Sequence, residues 1–492
     1  MYNKKIKGFL DNFFEYQKEK NFPSFIGISD NALKKINLVA IEKLTHNSSI
    51  DVIDLLNEKD LIHPGGPKMF LRCILNKALL VLVLLPFHLL LLLHKIFNYD
   101  KIVVGSSKII FFGSQSSTIS VGYNLLSSIF PNSSFYALTG ILGIVHKDSF
   151  KSKNTFTGFE ANSTSFFSSL KFIFYYVNRF YKLNAFSTVT LKSTTLFLFE
   201  YIKVLYSIEK SKLITKETPV ESVNIFMCDN NFFHTVHIDR LNSIGCITAV
   251  IQHGTFLAGN IVYLPALSTW VLCCSERESH LFGLKSQGAK IHLLGMPLQI
   301  CLDIKDNENL NKPLLPEAFD LLILGRDGNF WEIENAYKVF EDSTSSYSNK
   351  SILIRHHPKS NKEMKKMLES KFSNFTLSVD SSLQQDLSRS TIIISFSVDA
   401  NILSLLNRKK TIFCGEPEAD DLNDFGSNFK NLKVANSQQE LENAIQILSR
   451  SNIQFDNSYE NKMIEVYGDY SVDIIKNNYI DFINQCQNDM SE

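Results

Sequence analysis

Thr248-Ala249-Val250-Ile251-Gln252-His253-Gly254-Thr255-Phe256 is an apolar run that stops at a histidine and a glycine. β-Branched and apolar residues ended by His-Gly read as a buried strand running into a loop. Open α/β sheets carry their chemistry in the crevice outside the carboxyl ends of such strands. A histidine in this place can equally be a core residue held by structural hydrogen bonds. Two further strand ends shift the balance: Arg355-His356-His357-Pro358, and Ser395-Phe396-Ser397 at the start of a helix.

Working outward, similar apolar runs recur on both sides. Strands are expected at 108–112, 134–138, 223–228, 270–274 and 291–294, the last closing at Gly295-Met296-Pro297. Asp303 to Pro316 is polar and holds two prolines, which marks a domain boundary. A second series follows at 321–324, 352–355, 391–394 and 411–414, with helical stretches near 331–342, 360–370 and 398–407. Strands alternating with ten-residue helices imply a parallel sheet. The expected architecture is therefore α/β: two such halves with a cleft between them, at 105–302 and 317–450. Residues 1–104 form an N-terminal region, and 451–492 a helical C-terminal one with a helix over 460–487.

Composition limits the function classes. The 492 residues exceed one core, and 45% hydrophobic with 20% charged residues is globular. Lysine plus arginine equal aspartate plus glutamate at 50 each, so no net field recruits nucleic acid. The eight cysteines are scattered, none in a CxxC pair, which predicts buried thiols in a reducing cytoplasm and no zinc site. Met1 to Lys20 has no apolar core and reads as no secretory signal.

One segment departs from the soluble pattern. Ala78 to Leu93 (ALLVLVLLPFHLLLLL) is apolar except for His88, with Lys77 before it and His94-Lys95 after. Sixteen helical residues rise about 24 Å, short of the roughly 30 Å hydrocarbon core. Pro86 would kink the helix. The expectation is a monotopic or re-entrant anchor whose basic flanks meet anionic headgroups, against the alternative of a buried core helix.

The strand ends of the second half carry complementary chemistry. Gly325-Arg326-Asp327-Gly328 leaves backbone N–H groups open to a ligand, or simply makes a tight turn. Arg355, His357 and Lys359 suit phosphate oxygens, the guanidinium by paired hydrogen bonds and the ammonium as a point charge. Ser395 and Ser397 cap a helix whose N-terminus is a ready anion site. Together they describe a nucleotide pocket.

In this order and spacing, the His-Gly turn, the R-x-H-P turn and the serine pair opening a helix resemble GT-B glycosyltransferases of bacterial surface-polysaccharide assembly. The chain is similar to the capsule, polysialic-acid and Kdo transferase groups, and to the CDP-polyol phosphotransferases of teichoic-acid synthesis. The resemblance covers about residues 105 to 450, with His253, Arg355, His357 and Ser397 at motif positions. Arg326-Asp327-Gly328 is similar to the acidic-acidic-Gly motif of bacterial sialyltransferases, with Arg326 in place of the first acid. Phe396 stands where the polyol-phosphate group has a serine.

The resemblance implies two Rossmann-like domains and a metal-independent, cofactor-free transfer of a sugar from a nucleotide-activated donor, CMP-linked before UDP-linked. The acceptor would be a surface polysaccharide or a lipid-linked glycan. The enzyme would work on the cytoplasmic face of the cell membrane, with no nucleic acid as partner. His253 would be the base that takes the acceptor proton, with Asp229 or Glu416 as the other candidates, and Gln252, Gly254 and Thr255 beside the acceptor. Gly325, Arg326, Asp327, Gly328, Arg355, His357, Lys359, Ser395, Ser397 and Glu416 would bind the donor. Two rivals stand beside this: a CDP-polyol phosphotransferase, and a non-catalytic partner in polysaccharide assembly or export.

Overall fold

The computed structural model describes residues 28–47, 108–113, 126–137, 155–156, 218–226, 232–251, 266–285, 288–296, 318–325, 349–357, 362–371, 375–379, 381–396, 398–414 and 429–491, with Ser211 and Thr215. The apolar segment 78–93, the linker 303–316 and the helical stretch 331–342 lie outside them. Among the described residues no helix is long and apolar enough to cross a membrane.

The first sheet contains β1 (Ile109–Gly113), β2 (Ser134–Ala137), β3 (Thr155–Phe156), β4 (Val223–Phe226), β5 (Ile247–Ile251), β6 (Trp270–Cys273) and β7 (Lys290–Leu293). Helices α1 (Asp30–Asn47), α2 (Phe232–Ser243) and α3 (Glu276–Lys285) accompany it. The strand order is β3-β2-β1-β4-β5-β6-β7, all pairs parallel. Successive strands therefore move outward one way from β1 and the other way from β4, which is the Rossmann order with its switch point between those two.

The second sheet repeats the plan. It holds β8 (Phe319–Leu324), β9 (Ile352–Arg355), β10 (Phe375–Leu377), β11 (Ser390–Ser395), β12 (Lys410–Cys414) and β13 (Leu432–Ala435), in the order β10-β9-β8-β11-β12-β13. Between and after them lie α4 (Lys362–Lys371), α5 (Leu383–Ser388), α6 (Val398–Leu406), α7 (Gln438–Arg450), α8 (Asn457–Tyr467) and α9 (Val472–Ser491). Its switch point falls between β8 and β11. The chain is thus the two-sheet, Rossmann-like α/β protein that the strand pattern predicts.

The central strands of the second sheet are covered on both faces, so the middle of each is apolar on both sides. Ile323, Ile354, Ile392, Ile394 and Ile412 pack on one face with Leu368 of α4 and Leu441, Ala444, Ile445 and Leu448 of α7. Leu322, Leu324, Leu353 and Ile393 pack on the other with Leu387 of α5 and Leu403 of α6. The 441/444/445/448 spacing on α7 is the buried stripe of a helix of 3.6-residue period.

The C-terminal helix expected over 460–487 is two helices, broken at Gly468. This glycine has φ 96°, and the chain leaves α8 there and turns back over the first sheet. Phe482 of α9 meets the Trp270 ring edge-on, with centroids 5.6 Å apart. The Asn478 amide donates to the Leu294 carbonyl at 3.0 Å, and Lys290 pairs with Asp489 at 2.7 Å. One apolar cluster joins the first-sheet residues Phe111, Ile225, Ile251 and Leu272 through Val466, Tyr467 and Phe482 to Leu405 and Phe429. The last 35 residues therefore tie α6 and its surroundings to the first sheet.

Candidate functional site

The second sheet ends its central strands level with one another. Leu324 of β8 pairs with Arg355 of β9 on one side and Ser395 of β11 on the other, and Ser395 pairs with Phe413 of β12. The three loops singled out from the sequence therefore leave adjacent strands at the same edge, across the switch point. Gly325, Arg355, His357 and Ser395 are brought together there. Arg326, Asp327, Gly328, Lys359, Ser397 and Glu416 lie outside the described residues.

Gly325 has a specific reason to be glycine. Its N–H donates to the Arg355 carbonyl at 2.8 Å. A Cβ on it would sit 3.3 Å from both His356 Cα and His357 N. The two loops approach closely because no side chain separates them, so Gly325 serves loop packing whether or not a ligand binds.

Arg355 takes part in a network that sequence reasoning missed. Its Nη1 donates to Asp386 Oδ2 at 2.8 Å, to the Ser381 carbonyl at 2.8 Å and to Ser378 Oγ at 3.0 Å. Asp386 is wholly buried, and the Ser378 and Ser381 hydroxyls each donate to it at 2.5 Å. A buried carboxylate needs a paired cation and filled lone pairs, and this one has both. At least one guanidinium nitrogen of the expected phosphate ligand is thus committed to holding β9, β10 and α5 together. A signal for α5 was present: Ser382-Leu-Gln-Gln385 forms a full capping box, with Ser382 Oγ accepting from Gln385 N at 3.1 Å and Gln385 Oε1 accepting from Ser382 N at 2.8 Å.

The neighbouring histidines diverge. His356 turns towards α4, its Nε2 3.0 Å from Glu369 Oε1, while its buried Nδ1 has no hydrogen-bond partner. His357 is partly buried at the crevice edge. Ser395 is fully buried, and so is Phe396, whose ring packs with Ile354, Ile394 and Ile412. The phenylalanine in place of a serine is a core residue of the second sheet.

On the first sheet, β5 ends at Ile251 and β4 at Phe226. Gln252, His253, Gly254, Thr255 and Asp229 follow these ends and lie outside the described residues. No group of three His, Cys, Asp or Glu side chains among the described residues is arranged to hold a metal ion. Among the described residues, Cys246, Cys273, Cys274, Cys414 and Cys486 are buried thiols outside any disulfide. Burial pushes the Cys246, Cys273 and Cys414 thiols up, and burial with the nearby Asp489 carboxylate takes Cys486 to about 12. These four are protonated packing groups rather than nucleophiles.

No family model matches the sequence, and no curated protein matches it. Solved structures do. The UDP-GlcNAc 2-epimerase of Neisseria meningitidis, with UDP-GlcNAc bound, is 12% identical, with 77% of this chain and 99% of that one covered at a TM-score of 0.46. The wall teichoic acid polymerase TagF is 11% identical, covering 87% and 100%, at 0.37. A UDP-glucosyltransferase from Polygonum tinctorium is 10% identical, covering 78% and 99%, at 0.43. The likeness is one of fold.

Proposed function

We propose that this chain is a GT-B glycosyltransferase that moves a sugar from a nucleotide-activated donor, CMP-linked by preference, to a surface-polysaccharide or lipid-linked acceptor. The observation that carries the reading is the level ending of β9, β8 and β11 at the switch point of a Rossmann-ordered sheet. A crevice of this kind is where nucleotide phosphates settle, against a glycine turn and a helix N-terminus. His357 and the first turn of α6 stabilise the leaving phosphate as it gains charge. His253, at the end of β5 on the other sheet, takes the acceptor proton, a role that suits a side chain titrating near neutral pH. Asp229 orients the acceptor or shares that role. Phe396 puts no hydroxyl where the polyol-phosphate group has a serine, which favours glycosyl over polyol-phosphate transfer. Residues 78–93 hold the enzyme on the inner face of the cell membrane, near a lipid-linked acceptor.

A thermal-shift panel of CMP, CDP, UDP, GDP and ADP tests the donor site, because a ligand that binds only the folded state raises its melting temperature. The reading expects the cytidine nucleotides to give the largest shift. No shift with any of the five contradicts it. His253→Ala should abolish transfer with an unchanged melt; retained transfer removes His253 from the mechanism. A chain that binds a nucleotide and transfers nothing to any glycan would be the non-catalytic assembly partner instead.

A further inference from the structure

Asn401 sits in the second turn of α6, is wholly buried, and has no hydrogen-bond partner on either Nδ2 or Oδ1. Its neighbours show how unusual that is. Ser404 Oγ lies 2.6 Å from Thr411 Oγ1, and Asn407 bonds through Nδ2 to the Leu403 carbonyl at 2.7 Å; even Asn431, whose Oδ1 is unpartnered, donates from Nδ2 to the Lys409 carbonyl at 2.8 Å. A buried carboxamide without partners is costly, whereas a leucine of similar size has no polar atom to satisfy. The amide is therefore no packing device.

Its position says what it faces. Ser404 bonds Thr411 of β12, so this stripe of the helix lies over β12. Asn401 is about one turn nearer the amino end of α6, and β12 runs on from Thr411 to Phe413, which pairs with Ser395. Helical side chains lean back towards the N-terminus, so the amide is directed at the first turn of α6 and the end of β11. An anion site and an unsatisfied donor–acceptor pair thus coincide at one end of one helix.

We propose that Asn401 is a donor-recognition residue, its Nδ2 donating to a phosphate oxygen of a nucleotide seated at the N-terminus of α6 and its Oδ1 accepting from an adjacent sugar hydroxyl. A carboxamide matches a phosphate ester next to a hydroxyl because it presents one donor and one acceptor side by side. Because both atoms are closed to water in the free chain, the contact forms with a displacement of the turn above the amide. This inference rests on the nucleotide reading of the second sheet.

The test uses the full chain and the nucleotide, among CMP, CDP, UDP, GDP and ADP, that gives the largest wild-type shift. Its affinity is measured for wild type, Asn401→Leu and Asn401→Ala. Asn401→Leu should melt at or above wild type, since an unpaired polar group is removed, and bind about tenfold more weakly or worse. If packing changes lower its melt, Asn401→Ala gives the same comparison with a smaller side chain. Wild-type affinity in both variants overturns the role of Asn401 and leaves the nucleotide site standing. A wild-type chain that binds none of the five overturns the nucleotide reading, and this inference falls with it.

Discussion

Gly468→Ala should cost far more than a glycine substitution usually does. A Cβ at this position would lie 1.9 Å from the Cys274 carbonyl oxygen and 2.7 Å from its carbon, both backbone atoms at the end of β6. Backbone cannot swing aside as a side-chain tip can, so α8 and α9 must shift as a body by about 1 Å to restore contact distance. The φ of 96° adds its own strain. A suitable control is Gly245→Ala, at φ 83° with nothing within 4 Å of the added Cβ. That variant carries the conformational cost alone, about 1–2 kcal/mol. Gly468→Ala adds the loss of registry of α9 on the first sheet, including the Trp270–Phe482 contact and the Asn478 and His292 hydrogen bonds. The sum is about 4 kcal/mol or more, within the range of the most disruptive single substitutions. In a domain of a few hundred residues about 2–4 °C of melting temperature corresponds to each kcal/mol. Gly245→Ala should then lose a few degrees and Gly468→Ala more than about 8 °C. Limited proteolysis should release the segment after Tyr467 only in the latter. Equal melts for the two variants would refute the packing argument.

Two further outcomes follow from buried charges and thiols. Arg355→Ala strands the buried Asp386 carboxylate and should lower stability in urea by about 3–5 kcal/mol, whereas adding Asp386→Ala should recover part of that loss; a single variant as stable as wild type contradicts the network. The Cys246, Cys273, Cys414 and Cys486 thiols are all raised by burial, so the folded chain holds protons that the unfolded one releases from about pH 8.5. Their contribution is complete below that value and is lost as pH rises above it, so the urea midpoint should fall between about pH 8.5 and about pH 10; a midpoint flat over that range contradicts the thiol assignment.

The central strands were legible because burial on both faces leaves runs such as Leu321-Leu322-Ile323-Leu324 and Ile392-Ile393-Ile394 with no polar interruption. Strand β10 escaped notice as a three-residue, half-exposed edge piece, and β13 because Lys433 breaks its apolar pattern. Helix α7 carried a readable start that went unused: Ser437 Oγ accepts from Glu440 N at 3.3 Å, and the Glu440 carboxylate accepts from Asn436 N at 2.7 Å. The break at Gly468 was signalled by glycine followed by Asp469 and Ser471, whose N–H donates to Asp469 Oδ1 at 2.7 Å. The site was legible only as loop residues at strand ends. Asp386 and Asn401 could not be found that way, since their interest arises from burial, which a polar residue in a helix does not announce. Arg355 was read as a ligand because an arginine at a strand end looks available until its buried carboxylate partner is known.

Nucleotide is proposed to bind at the carboxyl edge of the second sheet, across β8 and β11. Hydrogen–deuterium exchange with and without saturating CMP measures this directly. Altered exchange is expected in peptides covering Leu324-Gly325, Arg355-His357 and Ser395-Ile402, with the amino ends of the same strands unchanged. Protection confined to the first sheet, or none near β8 and β11 in a chain that binds CMP, would contradict it.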